Sequence, residues 1–372
     1  MSEHKENALP VDAEAAARLL MQGQTLCEKQ LYLSLGDYSL AIASNSQPLL
    51  NCLSQYFSHL PQQQNKAEKT VVAIESDVLE SGLSFMDWKR EPGKSGRKDA
   101  YIELPDGRLL LKVRTGMMFL QSQERLIAAG PCLQYDNQLI NYINSQIMNW
   151  LQHRNWLISH AAGLMLGTNA LAIAGFSGGG KSTLMLHLME HPKSCFLTND
   201  RLFLRAGESA VEAVGIPKLP RINPGTVVNN ERLKSLINEP RRSEFLQMPK
   251  QDLWDLEEKF DVDIEHFYGK GRINTSTPVP LAGLLILNWN REETAPVEIN
   301  EVVLSERSEL LKAVMKSPGP FYQDRQGQFL EDEDPLPTEP YQSLLKEISV
   351  YEVTGRLDFE ALTALCFERW GS

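Results

Sequence analysis

The sequence predicts an α/β protein in which a β-rich module of mixed α+β type precedes a core of alternating strands and a helix. Short apolar runs separated by turn residues fill residues 31–128. From Trp156 onward, apolar strands flank a helix, which is the pattern of an α/β core. A glycine-rich loop, Gly175–Thr183, lies between one such strand and the helix. Because 372 residues suit about two domains, we expect domains over 1–150 and 151–372.

Composition narrows the class of protein. With 37 basic and 48 acidic residues the net charge is −11, so no nucleic-acid partner is expected, because phosphate contacts need a basic surface. The polar N-terminus does not resemble a signal peptide, and the least charged stretch, 161–180, contains six glycines, so no membrane association is expected. The five cysteines are scattered and form no metal-ligand spacing, which favours reduced thiols in a cytoplasmic protein.

In the first half, apolar spacing predicts a helix within 12–30, a hairpin over 31–44 with Gly36-Asp37 as its turn, and a helix over Asn137–Leu151. Between them lie five further predicted strands: Thr70–Ile74, Tyr101–Leu104, Leu109–Val113, Met117–Leu120 and Arg125–Ala128. The basic segment Trp88–Lys98 is either a solvated loop or a docking patch for an acidic partner.

The second half carries longer apolar runs. Strands are predicted over Ala170–Ala174, Cys195–Leu204, Leu281–Trp289, Val297–Leu304 and the end of Leu344–Val353. Helices are predicted over Ser182–Met189, Glu306–Met315 and Phe359–Cys366. The acidic run Glu331–Asp334 is expected to be a surface loop.

The glycine-rich loop is the strongest functional signal. It fits the phosphate-binding pattern G-x-x-x-x-G-K-[ST] through Gly175, Phe176, Ser177, Gly178, Gly179, Gly180, Lys181, Ser182 and Thr183. Glycines let backbone N–H groups face phosphate oxygens, and the helix N-terminus adds positive charge there. Lys181 is expected to reach the β- and γ-phosphates of ATP, and Ser182 to ligate Mg²⁺. The alternative is a glycine-rich turn that binds no nucleotide.

Two further residues are expected beside this loop. If Leu166 faces Ala170 across a hairpin, His160 lies opposite Phe176, where a γ-phosphate would sit. Asp200 follows an apolar strand, and an acid at a strand end near a phosphate loop is the usual second metal anchor. Asp200 could therefore hold Mg²⁺ or accept the proton of an attacking hydroxyl. The alternatives are a structural histidine and a turn aspartate.

Together these segments resemble the HPr kinase/phosphorylase family, which is similar to the nucleotide site of phosphoenolpyruvate carboxykinases. The resemblance is to the group called HprK-related kinase B, and it spans about 155–320. It is carried by SHAAG at 159–163, GFSGGGKST at 175–183, LTNDRLFL at 197–204 and VGIPKLPRINPGT at 214–226.

The resemblance implies a phosphate-loop kinase core and a role for each matched residue. His160 matches the active-site histidine, Lys181 and Ser182 match the phosphate-binding lysine and the metal-binding hydroxyl, and Asp200 matches the second acid of an Asp-Asp pair. Asn199 stands where the family has the first acid, and an amide cannot accept a proton as a carboxylate does.

The implied activity is a Mg²⁺-dependent serine kinase that transfers the γ-phosphoryl group of ATP to a protein or peptide. A small-molecule kinase on the same core and a non-catalytic ATP-binding regulatory protein remain alternatives, the latter because of Asn199. The resemblance also implies an ATP-grasp partner enzyme and a homo-oligomer. The cation that offsets charge on the transferred group is expected among Arg201, Arg221, Lys270 and Arg272.

Overall fold

The structure is a computed structural model of a mixed α/β chain with several sheets. It describes residues 10–62, 66–89, 96–176, 178–256, 258–275, 277–290, 292–331 and 335–371. The chain forms two compact units: Met1–Arg154 with Pro318–Pro335, and Asn155–Ser317 with Leu336–Ser372. No helix in the described ranges combines the length and apolar character needed to cross a membrane. The division into independent domains at residue 150 stays a prediction.

The first unit contains an eight-stranded sheet with strand order β1-β2-β3-β8-β7-β6-β5-β4. The strands are β1 Leu31–Leu35, β2 Tyr38–Ser44, β3 Lys69–Glu75, β4 Met86–Asp87, β5 Asp99–Leu104, β6 Gly107–Lys112, β7 Met118–Ser122 and β8 Leu126–Gly130. The helices are α1 Ala13–Met21, α2 Gln47–Tyr56 and α3 Asp136–Gln152. The hairpin predicted over 31–44 is confirmed, with Leu35 paired to Tyr38.

The first helix is shorter than predicted. It ends at Met21 because Gln22 adopts the left-handed conformation, with φ of 49°, and its N–H caps the Arg18 carbonyl. Helix α2 was not predicted, although Ser46 caps it and proline follows at its start. The middle of the basic segment, 90–95, and most of the acidic run, 332–334, lie outside the described residues.

The second unit contains a nine-stranded sheet. Its strands are β9 Leu157–Ser159, β10 Ala161–Leu166, β11 Asn169–Gly175, β12 Ser194–Thr198, β13 Leu202–Ala206, β14 Val211–Val214, β17 Val279–Leu287, β18 Glu298–Val302 and β19 Val350–Thr354. A separate pair is β15 Arg221–Ile222 with β16 Phe260–Asp261. The helices are α4 Lys181–Met189, α5 Pro224–Val228, α6 Glu239–Gln247, α7 Lys250–Asp255, α8 Ile264–Tyr268, α9 Glu339–Leu345 and α10 Phe359–Trp370, with 3₁₀ helices Glu231–Leu236 and Ser308–Ala313.

Strand direction brings several chain segments to one edge of this sheet. β10 runs antiparallel to both β11 and β12, so β11 and β12 share a direction. β11 runs parallel to β17, and β17 runs parallel to β19. The carboxyl ends of β12, β11, β17 and β19 and the start of β10 therefore lie at the same edge, where ligands of open α/β sheets bind.

The central strands are buried on both faces. Along β11, Leu171 and Ile173 contribute to one apolar cluster, whereas Ala170, Ala172 and Ala174 contribute to the other. The first cluster also contains residues of α4 and α10. Coverage on both sides explains why these strands are continuous apolar runs without alternation.

Two predicted elements of this unit differ from the structure. The helix predicted over Glu306–Met315 is a 3₁₀ helix of six residues, Ser308–Ala313. The strand predicted over Cys195–Leu204 is two strands, β12 and β13, because residues 199–201 leave the sheet pairing. That interruption positions the candidate site described below.

A buried arginine organises part of the first unit. Arg108 is 1% exposed, and its guanidinium forms an ion pair with Glu103. It lies over the rings of Tyr101 and Phe329, at 4.9 and 4.5 Å from their centroids. It also donates to the carbonyl oxygen of Leu330 at 3.2 Å. The residue thereby links the 318–331 segment to the sheet of its own unit.

We expect Arg108→Leu to lower the free energy of unfolding of the first unit by about 2–4 kcal/mol, because it removes charge-assisted hydrogen bonds and leaves backbone carbonyls without a donor. Urea unfolding measures this free energy, and limited proteolysis reports whether the 318–331 segment has come loose. Arg97→Leu is the matched control, since Arg97 pairs with Asp87 while both side chains are more than half exposed, and it should cost below about 1 kcal/mol. Equal effects of the two substitutions would contradict the structural role of Arg108.

Candidate phosphate-binding and catalytic site

The glycine-rich loop joins β11 to α4 at the edge described above. Gly178 and Gly180 have positive φ values of 74° and 87°, a region in which a side chain would be strained. The Lys181 ammonium donates to the Gly175 carbonyl at 3.2 Å, so its side chain folds back along the loop. Ser177 lies outside the described residues. The strand–loop–helix context predicted for this motif is therefore present.

The remaining residues of the motif differ in their surroundings. Phe176 is 40% exposed. The Thr183 hydroxyl lies 3.0 Å from the hydroxyl of Thr226, so it already has a hydrogen-bond partner within the protein. Gly180 is the N-cap of α4, and its position provides no side-chain hydrogen bond to the first N–H groups of the helix. Such a terminus suits an anion.

Trp289 fixes the orientation of one loop peptide. Its indole Nε1–H donates to the Gly179 carbonyl at 2.9 Å. The C=O and N–H of a trans peptide point in opposite directions, so the Gly180 N–H points away from the indole ring. The Gly179 N–H is already used, because it donates to the Phe176 carbonyl. Trp289 was not predicted as a site residue. Its position just after the apolar run that forms β17 is the feature of the sequence that could have indicated it.

The same loop is supported by a second aromatic ring. A Cβ on Gly180 would lie 2.6 Å from the ring of Phe359, so only glycine allows this approach. Phe359 contacts Trp289 edge to face, with ring centroids 5.0 Å apart. Trp289 follows β17, which pairs with β11, and Phe359 follows β19, which pairs with β17. Tertiary packing at the sheet edge therefore holds the loop.

His160 and Asp200 meet in a gap between paired strands. Ser159 pairs with Leu202, and Gly163 pairs with Thr198, in the same register on both sides of the gap. Residues 160–162 and 199–201 are not paired with each other, although 161 and 162 stay paired with β11. His160 Nε2 lies 3.1 Å from Asp200 Oδ1. Asp200 also interacts electrostatically with Lys181 of the glycine-rich loop. The catalytic roles of His160 and Asp200 stay predictions.

The hairpin register that was expected for His160 is wrong by one residue. Leu166 pairs with Asn169 rather than Ala170, because the turn is the two-residue Gly167-Thr168. Continuing this register brings His160 level with Gly175 instead of Phe176. Both strands are apolar on both faces, so no alternation in the sequence specified the register.

Asp200 is held in its ionised form. Burial would raise the pKa of its carboxyl, but the hydrogen bond from His160 and the charges of Lys316, His160 and Arg201 hold that pKa well below its usual range. Asp200 Oδ2 lies 3.8 Å from Arg201 Nε and 4.0 Å from Lys316 Nζ. The Asp200 side chain keeps 46% of its exposure, so a ligand can reach it.

Three lysines around Lys181 and Asp200 were missed. Burial lowers the pKa of Lys181, the charge of Asp200 opposes this effect, and the charges of Lys316 and Lys259 lower the pKa further. Burial, with the like charges of Arg201 and Arg221, lowers the pKa of Lys218 to about 8 against the opposite charges of Asp200 and Asp261. Isolated lysines carry no sequence signal, and only Lys218 stood inside a motif-bearing segment.

The cation candidates from the sequence separate into two groups. Arg201 contacts Asp200, and Arg221 pairs with Asp261 at 3.1 Å. Arg272 is placed elsewhere, because its guanidinium donates to the carbonyls of Met189 and His191 at the C-terminal end of α4. It offsets the negative end of that helix rather than a charge at its N-terminus. Lys270 is exposed.

Asn199, next to Asp200, carries an uncharged side-chain amide. Its Oδ1 is buried and has no hydrogen-bond partner in the described part of the chain. A buried carbonyl oxygen without a donor is costly, so the amide is suited to a ligand or water that donates to it. As an amide, Asn199 adds no negative charge at this position.

We expect Trp289→Phe to weaken ATP binding about fivefold, because the ring is kept while the donor to Gly179 is lost. Isothermal titration with Mg²⁺ and ATP measures the effect. Trp370→Phe is the matched control; Trp370 packs against Tyr351 at the other end of α10, and the affinity should not change. Identical affinities in Trp289→Phe and the wild-type protein would contradict the orienting role of the indole N–H.

Comparisons with known proteins find a likeness among solved structures. No family model and no curated protein matches the chain. Among solved structures, the Hpr(Ser) kinase/phosphatase from Coxiella burnetii is 10% identical, with a TM-score of 0.29 over 57% of this chain and 88% of that one. A likeness at this TM-score decides neither the fold family nor the activity of this chain.

Proposed function

We propose that this protein is an ATP-dependent, Mg²⁺-requiring kinase that transfers the γ-phosphoryl group to a hydroxyl, that of serine, on a protein or peptide. The supporting observation is the His160–Asp200 contact of 3.1 Å beside the loop that carries Lys181. Phosphate-binding groups and an ionised carboxylate with its own hydrogen-bond donor are the parts that phosphoryl transfer needs at one place. This assignment agrees with the resemblance to HPr-kinase-like proteins in the sequence.

The residues suit a hard cation bound with a nucleotide. No cluster of three or more His, Cys, Asp or Glu side chains able to hold a metal occurs in the described ranges. A cation at this site would therefore take its ligands from Ser182, Asp200, water and the nucleotide, as in phosphate-loop enzymes. When bound, Mg²⁺ supplies charge neutralisation between the β- and γ-phosphates.

The proposed step is an in-line displacement. The acceptor hydroxyl oxygen forms a bond to the γ-phosphorus while the bond between that phosphorus and the bridging oxygen breaks, and ADP leaves with the bonding electrons. The hydroxyl proton passes to Asp200 Oδ2, whose partner oxygen accepts from His160. Because the Asp200 pKa is well below its usual range, this proton transfer occurs late, as a loose transition state permits. Lys181 and Lys316 offset charge on the transferred group.

Asn199 favours a second candidate, an ATP-binding protein without transfer activity. Its buried amide replaces the first acid of the family's pair, and an amide is not a base. Under this alternative the loop binds nucleotide and Asp200 only helps to hold the cation. The acceptor's identity, an ATP-grasp partner, homo-oligomerisation and a cytoplasmic location stay predictions.

Lys181→Ala tests nucleotide binding. We expect ATP affinity to fall at least about tenfold, because a charge-assisted contact to the phosphates is lost. Isothermal titration measures the affinity for ATP. Lys193→Ala is the control: this lysine lies at an exposed position after α4, and its replacement should leave the affinity unchanged. Unchanged ATP binding in Lys181→Ala would refute the phosphate-loop assignment.

Asp200→Asn separates the two candidates. The isosteric amide keeps the shape but removes the proton acceptor, so transfer should fall at least about a hundredfold. A radiolabelled-ATP assay on a cell lysate measures transfer to protein. Label on a metabolite alone would favour the small-molecule kinase, and tight ATP binding by the wild type with no transfer would favour the non-catalytic protein. The rate of transfer should fall less in His160→Gln than in Asp200→Asn, because the Asp200 carboxylate remains.

A further inference from the structure

The strongest unassigned feature is a cavity of about 370 Å³ beside α10. Its walls are mostly apolar, with Pro296, Ala364 and Leu365 among the lining residues. Arg356 and Asp358 add charged groups to the lining. A volume of a few hundred cubic ångströms, apolar walls and a few polar groups are typical of sites for small organic ligands. The nucleotide assignment above uses none of these residues.

Two chain segments are held tightly together at this cavity. Gly355 has a φ of 86°, and a Cβ there would lie 2.1 Å from the Pro296 carbonyl oxygen, so the chain leaving β19 passes directly against the segment before β18. The Arg356 N–H donates to the Ala295 carbonyl at 2.9 Å. The Arg356 guanidinium also pairs with the Asp358 carboxylate at 3.0 Å. The cavity wall is therefore preformed, and the guanidinium is held at it.

The cavity lies next to the contact that supports the phosphate loop. Asp358 lines the cavity, and the next residue, Phe359, has its ring 2.6 Å from the position of a Cβ on Gly180. Phe359 also contacts Trp289, whose indole N–H donates to the Gly179 carbonyl. A ligand bound to the loop can thus extend into the cavity past the start of α10.

The order of the strands decides which part of a nucleotide reaches this cavity. At the carboxyl ends of the parallel strands, paired neighbours follow one another in the order β12, β10, β11, β17, β19 and β18. Asp200 follows β12, on one side of the phosphate loop, and the cavity lies between the end of β19 and the start of β18, on the other side. A nucleoside triphosphate whose γ-phosphate is turned toward Asp200 extends its base in the opposite direction. The base is therefore directed across β17 and β19 to the cavity.

We infer that this cavity binds the purine base of the nucleotide, with the Arg356 guanidinium stacked on the ring and Ala364 and Leu365 against its apolar surface. The inference rests on the proposed function. A planar guanidinium packs well on a flat aromatic face, and the ion pair with Asp358 holds it in one orientation. Apolar walls add affinity because they remove the base from water. Arg356 thus contributes affinity for the base and none for the phosphates.

The test compares ATP with inorganic tripolyphosphate, which has the three phosphates and no base. Isothermal titration of each ligand into the full chain with Mg²⁺ measures both affinities. ATP should bind about tenfold more tightly than tripolyphosphate, because only ATP fills the cavity. Ala364→Trp, which fills the cavity with a side chain, should abolish this difference while tripolyphosphate still binds.

Arg356→Gln removes the guanidinium and keeps the cavity. It should weaken ATP binding about threefold and leave tripolyphosphate binding unchanged. Ser343→Trp is the matched control for the added indole ring. Ser343 is exposed on α9, a helix that packs in the other apolar cluster, so both affinities should stay as in the wild type.

A second measurement needs no variant. 2-Azido-ATP carries its photoreactive group on the base, and irradiation followed by peptide mass spectrometry locates the base along the chain. Label is expected within 292–297 or 356–368, and excess ATP should prevent it. Label confined to other segments would overturn the inference even if ATP binds tightly.

The outcomes separate the cavity from the kinase. Equal affinities of the wild type for ATP and tripolyphosphate, or a difference that survives Ala364→Trp, would refute the base site and keep the phosphate loop. Equal losses for both ligands in Arg356→Gln would show that Arg356 binds phosphate, which also contradicts the inference. Absence of binding by either ligand would refute the proposed function and the base site together. Label in the cavity without phosphoryl transfer would keep the base site and refute the kinase.

Discussion

Two neighbouring strand pairs stop hydrogen bonding at the same level of the sheet, and the candidate site lies in that gap. The pairs Ser159–Leu202 and Gly163–Thr198 share one register, and the ladder between β10 and β12 shifts register directly after Gly163. Between these two pairs, residues 160–162 and 199–201 are not paired with each other. The His160 N–H finds a new acceptor in the Val314 carbonyl at 2.7 Å, which satisfies backbone that would otherwise be orphaned. The sheet therefore tolerates the gap and keeps His160 beside Asp200.

Parallel strand direction adds the other parts of the site to the same edge. The phosphate loop follows β11, Trp289 follows β17 and Phe359 follows β19, so residues far apart in sequence meet around Gly179 and Gly180. A loop of glycines has little shape of its own, since glycine permits many backbone conformations. Its geometry here is imposed by two aromatic rings that are themselves fixed by buried strands. Preorganised N–H donors need this kind of support.

Sequence patterns located the strands and the glycine-rich loop because those features are local. The β11–loop–α4 unit is specified by apolar runs and glycines, and both ends agree with prediction within a residue. The strand end at Asn199-Asp200 was also predicted, whereas the hairpin register and the lysines near the site were not. Strands buried on both faces carry no alternation to fix register, and a lysine such as Lys316 becomes informative only when folding brings it near a carboxylate.

The charges near Asp200 differ in sign from the net charge of the chain. A chain with a net charge of −11 repels anions at long range, so any anionic ligand must be captured by short-range groups that solvent screens poorly. The cations around Asp200 are such groups, because burial strengthens each interaction while it penalises each unpaired charge. Asn199 adds no negative charge to them. A region whose cations attract anions at short range therefore lies in a chain whose net charge repels anions at long range.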